Sequence, residues 1–112
     1  MRIIDTGITK EILSGDNHPQ LKIGDKLYTV DDRQSTFDKI QKVQKDTSID
    51  EKEKTRKIYE LALGDEATEE ILKMDLPVEK NNFLSFCIMG AITGEDPNEL
   101  QKMAREQATK NL

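Results

Sequence analysis

Leu76 to Gly94 reads LPVEKNNFLSFCIMGAITG, the densest apolar run of the chain, with two of its three phenylalanines and its single cysteine. Phe83, Leu84, Cys87, Ile88, Ala91 and Ile92 recur at the spacing of one helical stripe, and Phe86 and Met89 widen it. A helix apolar over more than half its circumference needs neighbours on more than one side, so the pattern places this segment at the centre of the fold. Proline is tolerated in a first helical turn and glycine ends helices readily, which sets the central helix at 77–93. Gly90 lies inside the run, where a glycine costs about 1 kcal/mol relative to alanine. Its presence predicts the close approach of another backbone.

The flanking segments carry their own helix boundaries. Downstream, Asp96-Pro97-Asn98-Glu99 combines a cap residue, a first-turn proline and an acid at the third position, and opens a helix with Leu100, Met103, Ala104 and Gln107 on one face. Upstream, Gly64 stops one helix and Asp65 caps the next, with Glu66, Glu69 and Glu70 crowding its positive end. Ala67, Ile71 and Met74, with Leu72 beside them, form the expected buried side of that helix. Ser48-Ile49-Asp50-Glu51 resembles a capping box before a helix whose first turns, EKEKTRK, are charged and whose end, Ile58 to Leu63, is apolar. Ser35-Thr36-Phe37-Asp38 resembles another, ahead of a thin stripe of Phe37, Ile40 and Val43 or Gln44.

Nearer the N-terminus the pattern changes. Leu21 to Val30 reads LKIGDKLYTV, two short runs around Gly24-Asp25, which predicts a hairpin with a type II′ turn. Leu21, Ile23, Leu27 and Thr29 are its expected inward positions, and the hairpin should lie on the helices or pair with Ile3-Ile4 as a third strand. Residues 1–20 read either as a mobile arm whose isoleucines dock on a partner or as a short helix ending at Gly15. The expected architecture is α+β and predominantly α-helical. An N-terminal β-hairpin (21–30) precedes about five helices (33–110) around the central apolar helix, all in a single domain of 1–112.

Composition narrows the function classes. Leu, Ile, Val and Phe supply about a quarter of the residues, so a small aliphatic core can form, while 35% of the chain is charged and the mean hydropathy is -0.71. A net charge of -5 and the absence of clustered lysines argue against nucleic acid, since phosphate neutralisation needs concentrated cations. One cysteine excludes an internal disulfide framework, no window is apolar enough to span a membrane, and the first residues do not form a signal peptide. The expected location is the cytoplasm.

The inventory of reactive groups is poor. His18 stands alone in a loop beside Asp16 and reads as solvated, and zinc-type sites need several His or Cys at ligand spacing. Asp65, Glu66, Glu69 and Glu70 are explained by helix capping, and no glycine-rich phosphate loop is present. No catalytic residue, metal ligand or cofactor is expected. Binding or assembly remains, with Phe83, Phe86, Met89, Leu100 and Met103 as the candidate partner interface and self-association as one possible mode. Cys87 reads as a small core hydrophobe.

The order of elements, a leading hairpin LKIGDKLYTVDD, a polar helix, IYELALGDEATEEIL, and a hydrophobic helix closing with AITGEDP, resembles the small tail assembly chaperones of long-tailed bacteriophages and prophages. The likeness covers about Leu21 to Met103, including the Leu63-Gly64-Asp65-Glu66 junction and the Gly94 stop. It implies a non-enzymatic protein of the bacterial cytoplasm that shields the apolar helices of the tape-measure protein and recruits tail-tube subunits. Two alternatives stand beside it: a small acidic regulator or inhibitor using carboxylates such as Glu69 and Glu70 as a nucleic-acid mimic or antitoxin-like protein, and a minor phage structural subunit.

Overall fold

In the computed structural model, residues 1–110 are described, with side chains placed through Ala108. The chain runs α1 (Lys10–Ser14), β1 (Gln20–Ile23), β2 (Lys26–Thr29), α2 (Gln34–Lys45), α3 (Glu51–Leu63), α4 (Asp65–Lys73), α5 (Val78–Thr93) and α6 (Pro97–Lys110). The fold is α+β and mostly helical, a two-stranded antiparallel hairpin followed by five helices. The segment before the hairpin is both an arm and a short helix: Thr9 caps α1, Gly15 ends it in the left-handed conformation, and none of its residues is buried.

The hairpin turns on Gly24-Asp25, with Ile23 opposite Lys26 and Leu21 opposite Tyr28. Gly24 takes φ 62 while Asp25 stays out of the positive region, the pattern of a type II′ turn. That register corrects the expected inward face. With two loop residues, the face shared by Leu21 and Ile23 continues through Lys26 and Tyr28, not through Leu27 and Thr29. Tyr28 is accordingly buried and Leu27 is 55% exposed. No third strand forms among the described residues, and Ile3 and Ile4 stand in solvent. The hairpin is instead held by the helices: β1 packs on α5, the Val30 amide donates to Pro19 O (2.9 Å), and the Asp31 amide donates to Ala62 O at the end of α3 (2.8 Å).

Helix α3 lies between α2 and α4, while α6 packs on α5. The core gathers Tyr28 and Val30 from the hairpin, Ile40 from α2, Tyr59 and Ala62 from α3, Ile71 from α4, and Leu84 and Ile88 from α5. It is small and aliphatic apart from two tyrosines. Tyr59 is wholly buried, and its hydroxyl donates to Asn81 Oδ1 (2.9 Å), joining α3 to α5 without stranding a polar group. Thr68 takes a buried place on α4 where the stripe suggested Met74, which is 40% exposed. Its hydroxyl donates back to Gly64 O (2.7 Å), so a polar residue fits inside.

Two caps differ from their expected residues. α2 starts behind Arg33 with no side-chain cap, and Asp38 accepts from Gln34 Nε2 instead (2.9 Å). α3 is capped by Asp50, whose Oδ1 accepts from the Glu53 amide (2.8 Å), while Ser48 bonds Asp46. Both expected boxes made a serine the cap, but α2 starts before Ser35 and at α3 the Asp50 carboxylate, accepting from the Glu53 amide, decided the start. Asp96 does cap as read: its Oδ1 accepts from the Asn98 amide (2.8 Å) with Pro97 in the first position.

Candidate partner-binding face

The joint between α5 and α6 sets the geometry of the candidate face. A Cβ built on Gly90 would stand 2.6 Å from Glu95 O and 3.0 Å from Pro97 Cγ, so the expected close approach is real and only glycine admits it. Gly94 then ends α5 at φ 82, its amide donating to Gly90 O (2.8 Å). The chain reverses tightly, and α6 runs back along α5.

Between α6, the first half of α5 and the start of α3 lies an open cleft. Its apolar lining is Val78, Phe86, Ala104 and Ala108, and Glu51, Glu79 and Arg105 are among its charged residues. Phe86 is the expected interface residue that lines this cleft. Phe83 and Leu100 are half-buried outside it, Met89 packs against the core, and Met103 is 59% exposed on an adjoining arc of α6. Val78, 78% exposed, was missed because it sits among the polar residues EKNN. The helical spacing Val78, Asn82, Ser85, Phe86 is the signal that places it beside Phe86.

The carboxylates of α4 are engaged by distant cations. Lys26 Nζ donates to both oxygens of Glu70 (2.7 and 2.6 Å), the Tyr28 hydroxyl donates to Glu70 Oε2 (3.0 Å), and Arg56 Nη1 donates to Glu69 Oε1 (2.6 Å). The Lys26 bond, then that of Tyr28, holds the Glu70 carboxyl below its ordinary range. Asp31 accepts two bonds from the Arg33 guanidinium (2.9 and 2.8 Å), which hold its carboxyl well below the usual carboxylate range. A continuous acidic face is therefore interrupted at Glu69 and Glu70. The opposite sign gathers elsewhere: Lys39, Lys42 and Lys57, with Glu60 among them, line a shallow groove that also holds Val43 and Leu61. Sequence reading missed this cluster because Lys57 joins the other two from a different helix.

His18 is not the solvated loop residue expected. Its Nδ1 lies 2.6 Å from Asp32 Oδ1, with the side chain 26% exposed. The ring also backs onto Gly15, where a Cβ would meet Nε2 at 2.9 Å. Ser14 is nearby, but its single hydroxyl proton is shared between Glu11 O (3.0 Å) and Asp16 Oδ2 (2.8 Å), and among the described residues no nucleophile–base hydrogen bond joins it to His18. Burial pushes the Cys87 thiol up, away from the reactive thiolate. Among the described residues no group of three His, Cys, Asp or Glu is arranged to hold a metal ion, and no helix is long and apolar enough to cross a membrane.

Compared with known proteins, the chain matches no family profile, no curated protein and no solved structure at a significant level.

Proposed function

We propose that this chain is a tail assembly chaperone of a long-tailed phage or prophage, working in the bacterial cytoplasm without chemistry of its own. It shields apolar helices of a tape-measure protein and recruits tail-tube subunits. The observation that supports the reading is the open α5/α6 face. Val78 and Met103 are largely exposed, Phe83, Phe86 and Leu100 are half-buried, and all stand on a chain that is 35% charged. An amphipathic client helix buries its apolar stripe on such a face, while the charged remainder keeps the complex in solution. The acidic-mimic alternative is weakened by Glu69 and Glu70, whose carboxylates already hold Arg56 and Lys26.

Co-expression with tape-measure fragments tests the proposal. Rescue of the fragment into a soluble, isolable complex is expected, together with absence of the chain from finished particles. No rescue, with salt-sensitive binding to a basic DNA-binding protein, would favour the mimic. Stoichiometric presence in particles would make the chain a structural subunit.

A further inference from the structure

Helix α6 is fixed to the body by its first turns alone. Pro97, Leu100 and Gln101 are half-buried, whereas every residue from Lys102 to Ala108 is exposed. None of its described side chains belongs to the core or to the apolar residues packed against the core. Helices owe most of their stability in water to the packing of one face. The later turns of α6 carry a helical stripe that no described residue buries.

That stripe faces a wall of the same chain. Gln101, Ala104 and Ala108 follow one another along the α6 side of the cleft, and Val78, Asn82 and Phe86 along the α5 side, around a space of about 680 Å³. The alanines leave room for the two helices to close to the usual packing distance of about 8–10 Å. Of the charged lining, Glu51 and Glu79 lie on α3 and α5 and Arg105 on α6, so within the lining closure sets no like charges against each other. The joint permits the approach. Gly94 takes φ 82, and the Glu95 amide donates to Thr93 Oγ1 at 3.3 Å, a long bond to hold a pivot. Asp96 moves with α6, since it accepts from the Asn98 amide (2.8 Å) and the Leu100 amide (3.0 Å). Ala108 lies about 17 Å along the helix from Pro97, so a swing of about 15° carries it about 4 Å toward α5.

We propose that α6 is a hinged cover, pivoting at Gly94-Glu95 and closing Ala104 and Ala108 onto Val78 and Phe86 when that face is empty. The closed contact extends the packing that the first turns of α6 already make on α5. A client helix and the closed α6 claim the same apolar residues, so each excludes the other. That competition rests on the function proposed above; the swing itself does not.

Engineered disulfides test the swing on the full chain alone, with no client present, so its failure is distinct from failure of the tape-measure reading. On a Cys87→Ala background, Val78→Cys is paired with Ala104→Cys or with Ala108→Cys, all at exposed positions. A bridge requires the two Cβ atoms to come within about 4.5 Å. In dilute solution one of these pairs should bridge within the chain at least about tenfold faster than Val78→Cys with Lys102→Cys, which lies off the stripe. Oxidation of that pair should slow amide exchange from Met103 to Gln107 by about tenfold or more, and reduction should restore it. No within-chain bridge in either pair, bridging no faster than the Lys102→Cys control, or exchange unchanged by oxidation would overturn the proposal. Bridges formed mainly between chains would overturn it in favour of a second copy as the cover.

Discussion

Gly90→Ala is the substitution whose outcome follows most directly from the geometry. Alanine is the better helix former by up to about 1 kcal/mol, so on propensity alone the change would stabilise α5. The added methyl, however, would meet Glu95 O at 2.6 Å and the Pro97 ring at 3.0 and 3.2 Å. A backbone carbonyl cannot swing aside as a flexible side chain can. Relief requires the turn after Gly94 to open, which strains the Asp96 cap and lifts α6 from α5. Overpacking of this type costs about 1–3 kcal/mol, and a 2.6 Å approach to a backbone carbonyl belongs to the upper half of that range, which after the propensity gain leaves a net loss of roughly 1–2 kcal/mol. At about 4–8 °C per kcal/mol for domains slightly smaller than this one, Tm should fall by about 5–10 °C. Differential scanning calorimetry measures the fall, and amide exchange should show α6 losing protection more than α3. An unchanged or raised Tm would refute the reasoning about this joint.

Other outcomes follow from single contacts. Tyr59→Phe removes the hydroxyl donated to Asn81 Oδ1 and should cost about 1 kcal/mol; denaturant melts should show this loss and nearly none in an Asn81→Ala background. Asp31 and Glu70 have folded pKa values below their unfolded ones, the first through Arg33 and the second through Lys26 and Tyr28. Their stabilisation is therefore present above the unfolded carboxylate pKa of about 4 and is lost as pH falls through the folded values. Stability should hold level down to about pH 5 and decline below it, and Asp31→Asn should flatten part of that decline. Cys87, with its thiol raised by burial, should alkylate more slowly than a free cysteine at neutral pH and at the ordinary rate once the chain is unfolded.

The parts of this fold legible in the sequence are those governed by neighbouring residues. Gly24-Asp25, Gly94, Asp96-Pro97 and the order of the helices rest on local backbone preferences. Gly90 could be read because a glycine inside an apolar helix needs a reason. The strand faces were misread because composition put Leu27 inside, whereas register carried Tyr28 there. Pairs such as His18 with Asp32 and Lys26 with Glu70 depend on tertiary approach and have no local signature. The same limit holds at the candidate face. Phe86 announced itself as an apolar residue on a wide stripe, but Val78 and the small residues Ala104 and Ala108 became a cleft only once α6 folded back. Met103 belongs to the predicted stripe of α6 yet stands largely in solvent, because α5 is the element on which α6 chiefly packs and it covers one side of that helix.

The most direct test of the chaperone proposal is a binding titration of the folded chain with a tape-measure fragment held soluble at low concentration, comparing wild type with Met103→Asp and Phe86→Asp. Circular dichroism should first confirm that Met103→Asp, at an exposed position, keeps the helical fold. Wild type should bind and suppress aggregation of the fragment, and both variants should lose affinity by about tenfold or more. Absence of wild-type binding, or equal protection by wild type and the folded Met103→Asp variant, would contradict the assignment of this face to a client helix.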